Sequence, residues 1–280
     1  MKKILLPTDF SNNSWNAIVY ALQLYKDEKC NFILLHTYTP TYYQLEYMET
    51  SSRAFQVGEA IKETSRKELD DLLKKINENF ENPKHTFKKI SSFNTLTAEI
   101  NTLYERGVMD LIIMGTKGAS GLKGILFGSN TIHILNSVKC PVIAVPSNFE
   151  YESPKEILFP SDYEVEFKDS QLQPLLDLAK AHHSRLNILH VSHEIHLSEN
   201  QIKNRNILDL YFEPIAPLFH NIKNENVAEA IVDFQLKTTF NLLVMINNKH
   251  SFFENLFFKS KVNQIGFHLN TPFLVIPSKK

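Results

Sequence analysis

An internal repeat constrains the fold of this chain more than any other feature. Met114 matches Met245 and Pro146 matches Pro277 with the same offset of 131 positions, so the segment between the last two apolar blocks has equal length in both copies. Such self-similarity is typical of a duplicated domain. The blocks that recur are Lys3–Phe10 (KILLPTDF) as Glu156–Tyr163 (EILFPSDY), Asn31–Tyr38 as Arg185–Ser192, Thr97–Ile100 as Val227–Ala230, Leu111–Met114 as Leu242–Met245, and Cys140–Ser147 (CPVIAVPS) as Thr271–Ser278 (TPFLVIPS).

The repeat divides the chain into two domains. A chain of 280 residues is about right for two domains of roughly 100–150 residues, each of which can bury its own core. The polar segment Ser147–Pro154 reads as a short connector. We therefore predict one domain over 1–147 and a second over 154–280.

Each copy alternates apolar runs with amphipathic helical stretches, which predicts an α/β fold. In the first copy we predict strands near Lys3–Leu6, Asn31–His36, Thr86–Ser91, Leu111–Gly115 and Val142–Val145, with helices near Ser14–Tyr25, Ser51–Asn79, Thr95–Arg106 and Ser129–Val138. Five strands joined by helical crossovers imply a doubly wound, parallel sheet covered on both faces. Ligands bind such sheets beyond the carboxyl ends of the strands.

Glycines cluster at one of these strand ends. Five of the eight glycines lie in the 14 residues from Gly115 to Gly128, directly after the fourth strand, whereas the second copy retains only Gly266. Glycine permits positive φ and close approach of a ligand to the backbone. Ser129 then opens a helix whose N-terminal amides favour an anion. The pattern predicts a phosphate site, and the alternative is a surface loop followed by a serine N-cap.

The spacing excludes several other sites. The chain contains no GxxxxGK[ST] motif, no GxGxxG after the first strand and no GxSxG nucleophile elbow. What remains is Gly115-x2-Gly118-x9-Gly128-Ser129 after DLIIM, with PTDFS after the first strand and LLHT in the second. This combination resembles the universal stress protein family, in tandem over essentially the whole chain. The resemblance implies two Rossmann-like five-stranded domains of strand order 3-2-1-4-5.

The resemblance also implies a site for ATP, or for ADP or AMP, with Mg, in the first domain. Adenine and ribose would lie at the ends of the first two strands and the phosphates in the glycine-rich loop. Thr37 and Asn130 each stand at a position where the family usually has Val. The positions that match the motif are Pro7, Thr8, Asp9, Thr37, Met114, Gly115, Lys117, Gly118, Gly128, Ser129, Asn130 and Thr131.

Asp9 has a second interpretation that the residues alone leave open. Asp and Ser before a helix are preferred N-cap residues, so Asp9, Ser11 or Ser14 could cap the first helix. One side chain can both cap a helix and contact a ligand.

The second copy lacks the glycine pattern. At the offset of 131, Gly115 becomes Ile246, Gly118 becomes Lys249 and Gly128 becomes Lys259, while Ser129 is kept as Ser260. A non-glycine residue in a left-handed conformation costs about 1–2 kcal/mol. We expect no ATP site in the second copy, although the two lysines leave open a site for a different anion.

Composition and residue spacing narrow the remaining classes of function. The net charge of −1 gives no global attraction for nucleic acid or a membrane, and no apolar run is long enough to span a bilayer. Cys30 and Cys140 are far apart, which predicts two reduced, buried thiols. His190, His193, Glu194 and His196 lie close together in sequence, yet His190 repeats His36 and is expected to be structural, so no metal site is predicted. A cytoplasmic location is expected.

Three functions follow as hypotheses. The first is a stress-response or signalling protein in which nucleotide occupancy of the first domain controls conformation or association. The second is a slow ATPase or nucleotidyl transferase on the same site, and the third is an interaction module without nucleotide. The two domains are expected to pair through Val142–Val145 and Phe273–Ile276 as a pseudo-dimer within the chain, with a homodimer of tandem chains as an extension.

Overall fold

The computed structural model shows an α/β fold made of two compact units. It describes residues 1–39, 52–116, 128–147, 149–164, 166–192, 196–224, 227–247 and 271–277. Among these residues, unit one comprises 1–116 and 128–140, and unit two comprises 141–277. The described residues contain seven α-helices, none of which is long and apolar enough to cross a membrane.

Unit one alternates strands and helices as the apolar pattern predicts. Its strands β3, β2, β1 and β4 lie side by side in that order and all run parallel. The predicted bounds are met within two residues at every end. The elements are β1 (Lys2–Pro7), α1 (Asn12–Leu24), β2 (Cys30–Tyr38), α2 (Ser52–Asn79), β3 (His85–Phe93), α3 (Leu96–Glu105), β4 (Leu111–Gly115) and α4 (Ser129–Ser137).

Unit two contains the second copy and one strand more. Its strands follow the order β5-β10-β9-β6-β7-β8, and every neighbouring pair is parallel except β5 with β10. The elements are β5 (Val142–Val145), β6 (Glu156–Pro160), α5 (Asp169–His182), β7 (Arg185–Ser192), α6 (Glu199–Phe212), β8 (Leu218–Lys223), α7 (Val227–Lys237), β9 (Leu242–Asn247) and β10 (Phe273–Pro277).

An antiparallel ladder joins β5 to β10, the last strands of the two copies. Ala144 pairs with Phe273 and Val142 pairs with Val275, so the expected contact between the two last strands is present. Because these strands are hydrogen-bonded, β5 lies in the same compact unit as the second copy, and that unit has six strands among the described residues. The predicted domain bounds, 1–147 and 154–280, stay a prediction.

The turns that follow β1 and β6 repeat one geometry. The Thr8 amide donates to the Leu35 carbonyl at 2.8 Å, and the Ser161 amide donates to the Leu189 carbonyl at 2.9 Å. Two residues later the backbone is left-handed in both copies, with φ 62° at Phe10. The duplication seen in the sequence therefore extends to local backbone conformation.

Both cysteines are buried and free, as predicted. Burial raises the pKa of Cys30 to about 11 and that of Cys140 to about 12, because an apolar environment disfavours the thiolate. Reactivity with thiol reagents depends on the thiolate and on access. Neither thiol meets either condition.

We expect neither cysteine to react with Ellman's reagent at about pH 8 in the folded protein, since a pKa near 11 leaves about a thousandth of a thiol ionised. In concentrated guanidinium chloride, both thiols should react within minutes. Rapid release of chromophore from the folded protein would contradict the burial of these side chains.

Candidate functional site

The site expected from the sequence lies at the carboxyl end of β4, where α4 begins. Gly128 is the N-cap of α4, with φ −65° and ψ 155°, and as a glycine it has no side chain that could cap the helix. The Gly128 amide donates to the Thr116 carbonyl at 2.6 Å, which joins the two ends of segment 117–127. The helix therefore starts directly beside the end of β4.

The uncapped start of α4 differs from the starts of other helices in unit one. Ser11 accepts a hydrogen bond from the Ser14 amide at the start of α1, and Thr95 accepts one from the Ala98 amide at the start of α3. A glycine N-cap offers no such acceptor. The first amides of a helix lack partners within the helix and carry the positive end of its dipole, so an external anion can serve as their acceptor.

Gly115 packs closely against Asn13 of α1. A Cβ atom at this position would clash with the side-chain amide of Asn13 and would lie 3.0 Å from the Asn13 carbonyl oxygen. The sequence comparison attributes the glycine cluster to ligand binding alone, because the second copy does without it. In the structure, Gly115 also lets α1 lie against β4, whereas Ile246 occupies the corresponding position in β9.

Thr131 ties α4 to the end of β4. Its side chain is 2% exposed, and its hydroxyl lies 3.1 Å from the Gly115 carbonyl and 3.3 Å from the Thr116 carbonyl. The hydroxyl thus donates inward, to the carbonyls at the end of β4, rather than outward to a ligand. Asn130 is exposed instead, and Met114 is buried within β4. Of Ser129 the structure shows only that it begins the helix.

Asp9 lies on the loop between β1 and α1, with its side chain exposed to solvent. Its carboxylate accepts hydrogen bonds from the Ser11 amide at 3.1 Å and the Ser11 hydroxyl at 2.6 Å. Ser11 in turn caps α1. Among the three capping candidates, the cap is therefore Ser11, and Asp9 holds Ser11 in position while keeping an exposed face.

The ends of β1 and β2 complete this edge of the sheet. Pro7 is buried and pairs with Leu35, while Thr8 is almost fully buried and Thr37 is half-buried. Since β1 is parallel to both β2 and β4, their carboxyl ends lie at one edge. The candidate residues Lys117 and Gly118 fall outside the described residues, as do Lys249, Lys259 and Ser260 of the second copy.

His36 packs beside this edge. Its ring centroid lies 4.5 Å from that of Phe10, and its Nδ1 lies 2.8 Å from the Ser65 hydroxyl. Burial lowers the pKa of His36 below its ordinary value, against the opposing effect of the Glu68 and Asp9 carboxylates. The neutral imidazole is therefore the favoured form in this environment.

The equivalent histidine of the second copy is structural, as predicted. His190 is buried, stacks on Tyr163 with ring centroids 4.7 Å apart, and places Nδ1 3.0 Å from the Ser161 carbonyl. His196 is exposed, while His193 and Glu194 lie outside the described residues. Within the described part of the chain, no group of three or more His, Cys, Asp or Glu side chains could hold a metal ion.

The sequence did not reveal a cleft of about 240 Å³ in unit one, between α1 and α2. The charged run of α2 reads from its pattern as a solvated helix face, and only the fold brings it opposite the start of α1. We call this feature the α1–α2 cleft. It is lined by Thr8, Phe10, Ser11, Asn12, Ser14, Trp15, Glu68, Asp71, Leu72 and Lys75.

We expect Thr131→Val to lower the free energy of unfolding by about 1–3 kcal/mol, because it removes a buried hydroxyl that donates to the carbonyls at the end of β4. Thr64→Val is the matched control, since the exposed Thr64 hydroxyl donates to Ala60 of its own helix. The control should change stability by less than about 0.5 kcal/mol. Equal effects of the two substitutions in urea denaturation would contradict the structural role of Thr131.

Comparison with known proteins agrees with the resemblance drawn from the motifs. The model of the universal stress protein family matches residues 1–146. The universal stress protein MJ0577 of Methanocaldococcus jannaschii is 32% identical over 158 residues, covering 51% of this chain and 94% of the relative.

Solved structures extend the likeness beyond the first copy. A universal stress protein from Archaeoglobus fulgidus covers 98% of this chain and 96% of its own at 21% identity and a TM-score of 0.69, which shows a shared fold. Another universal stress protein, solved in complex with cAMP, covers 52% of this chain at 18% identity and a TM-score of 0.35. On the match to its first 146 residues, the chain belongs to the universal stress protein family.

Proposed function

We propose that this chain binds ATP, or the related nucleotides ADP and AMP, with Mg, in its first domain. The observation that carries the proposal is the uncapped start of α4 at the end of β4, with Gly128 as the N-cap. A helix N-terminus without a side-chain acceptor favours phosphate oxygens. The glycine cluster that precedes it is the sequence pattern expected of a phosphate-binding loop.

The phosphates would lie against the first amides of α4. Ser129, Asn130 and Thr131 supply these amides through their backbones, so the inward hydroxyl of Thr131 is compatible with the role. Lys117 supplies a cation and Gly118 space for the phosphate chain. Gly115 contributes by letting β4 and α1 meet closely where the loop begins.

The nucleoside would lie at the ends of β1 and β2. Asp9 keeps an exposed carboxylate at this edge, where it can accept a hydrogen bond from a ribose hydroxyl or a base amine. Pro7, Thr8, Thr37 and Met114 match the motif at this edge, and the half-buried Thr37 is the most exposed of them. Thr37 offers a hydroxyl where the family's usual valine would offer only an apolar contact.

The second domain, over 154–280, would bind no nucleotide in this manner. Ile246 replaces Gly115, and its branched side chain is buried at the end of β9. Lysines replace two further glycines. The proposal is therefore one nucleotide site per chain, with the second domain acting as a partner of the first.

We favour a binding role over turnover. Asp9 is the one carboxylate among the candidate residues, and it already accepts two hydrogen bonds from Ser11. Its acceptor capacity is thus partly used for holding the helix cap, which makes it a poor general base. Nucleotide occupancy would then act in cytoplasmic stress response or signalling by changing conformation or association.

The direct test is calorimetric titration of the purified, nucleotide-free protein with Mg-ATP, Mg-ADP and AMP. We expect saturable binding of at least one of them, and a loss of affinity of about tenfold or more, at least ~1.4 kcal/mol, for Gly118→Lys. This substitution introduces the residue that the second copy has at the equivalent position.

The reverse substitution, Lys249→Gly, is the matched control and should leave the affinity unchanged. Absence of binding by the unmodified chain to all three nucleotides would refute the proposal. Undiminished binding by Gly118→Lys would place the nucleotide elsewhere on the molecule.

A further inference from the structure

We propose that the α1–α2 cleft is a second binding site, for a small organic cation that carries an amine or guanidinium group. This site goes beyond the proposed nucleotide function and lies in the groove between two helices of unit one. Three properties of the described residues support it. They are an aromatic wall that already attracts a cation, two carboxylates without ionic partners, and the closed state of the equivalent region in the second copy.

The aromatic wall is Trp15, on the first turn of α1. The Lys75 ammonium lies 3.8 Å from the centroid of its ring, a cation–π distance. The face of an indole attracts cations through its quadrupole, more strongly when the pair is shielded from water. The position of Lys75 therefore shows that this face of the cleft suits a positive group, and an incoming cation would compete with Lys75 for it.

The acidic wall is formed by Glu68 and Asp71 of α2. Their spacing of three residues places them on one helix face, with Cβ atoms about 5–6 Å apart. Among the described residues, neither carboxylate has a lysine, arginine or histidine within ion-pair distance. Three other acidic residues of α2 have such partners, namely Glu59 with Lys62, Asp70 with Lys89 and Glu78 with Lys74, while Glu63, outside the cleft, has none among the described residues.

Charge and size restrict the occupant. Two carboxylates against one ammonium give the lining a net negative charge, which disfavours anions. The volume of about 240 Å³ lies below the range of about 300–1,000 Å³ that is usual for drug-sized ligands, so the occupant must be small. Because part of the wall is aromatic, an organic cation suits it better than a metal ion, which prefers a shell of oxygen ligands.

The floor of the cleft is rigid and internally satisfied. Thr8 and Ser14 are each more than nine-tenths buried, and their hydroxyl oxygens lie 3.1 Å apart. The Ser14 hydroxyl donates to the Ser11 carbonyl, and the Thr8 oxygen accepts from the Phe10 amide. The cleft thus has a fixed base, and its recognition groups are the charged and aromatic side chains of its walls.

The second copy shows that this opening is not a necessary result of the fold. Helix α6 occupies the place in the repeat that α2 has in the first copy, and it closes on the turn after β6. Asn204 donates to the Tyr163 carbonyl at 2.7 Å, and Gln201 donates to the Asp162 carbonyl at 3.0 Å. Tyr163 is completely buried there, whereas Phe10 is half-exposed at the edge of the α1–α2 cleft.

Trp15 makes the proposal directly measurable, because it is the one tryptophan in the chain. The full chain is titrated with agmatine, and the fluorescence of Trp15 is recorded in parallel with calorimetric heat. We expect a saturable change in both signals. 1,4-Butanediol, a neutral molecule of comparable length, and succinate, an anion, should give none.

The variants assign the site to named side chains. The double substitution Glu68→Gln and Asp71→Asn should weaken agmatine binding at least fivefold, and Glu68→Gln alone should weaken it less. Lys75→Met should strengthen it, because the competing ammonium is gone. Glu63→Gln, an exposed change on the same helix outside the cleft, is the matched control and should have no effect.

The side chains of Glu63, Glu68, Asp71 and Lys75 are exposed, so these variants should keep the fold. The thermal midpoint, followed by circular dichroism, checks this. Absence of saturation in both fluorescence and heat would overturn the proposal, as would equal affinity in the double variant. Saturation by succinate alone would show an anion site instead.

Agmatine binding that persists in Gly118→Lys separates this site from the nucleotide site, and full displacement of agmatine by Mg-ATP would contradict that separation.

Discussion

The parallel pairing of β1 with both β2 and β4 determines where every candidate residue of unit one lies. Ile4 pairs with Phe32 on one side and with Leu111 on the other, so β1 is hydrogen-bonded along both edges. Parallel strands bring their carboxyl ends to the same side of a sheet, where helices begin and side chains converge. The loop after β1, the end of β2 and the start of α4 are neighbours for this reason. A residue motif scattered over more than a hundred positions becomes one surface.

The sequence predicts most of this arrangement because the pattern of each strand and helix occurs twice in the duplicated chain. Strand β4 and the start of α4 fall where the apolar run and Ser129 place them, and Ser11 is one of three caps foreseen for α1. Two contacts could not be read from the pattern. The close approach of Asn13 to Gly115 and the inward turn of the Thr131 hydroxyl each depend on elements distant in sequence. The α1–α2 cleft also required the fold, since α2 alone resembles an ordinary solvated helix.

The two copies show how a shared backbone can carry different chemistry. The turns after β1 and β6 have the same left-handed residue and the same amide bond to the neighbouring strand. In the second copy, Tyr163 fills the space beside His190 and α6 holds the turn through Asn204. In the first copy, Asp9 remains exposed and α4 starts without a side-chain cap. The contacts of Gly115 and Thr131 show that part of the motif also holds α1 and α4 against the end of β4.

The central claim is a single, asymmetric nucleotide site in a duplicated chain. Native mass spectrometry of the full chain with excess Mg-ATP measures the stoichiometry directly, and titration to saturation separates specific from weak additional binding. The account predicts one nucleotide bound per chain, with Gly118→Lys requiring at least about tenfold more Mg-ATP for the same occupancy. Two nucleotides per chain at saturation, or unchanged occupancy of Gly118→Lys across the titration, would contradict it.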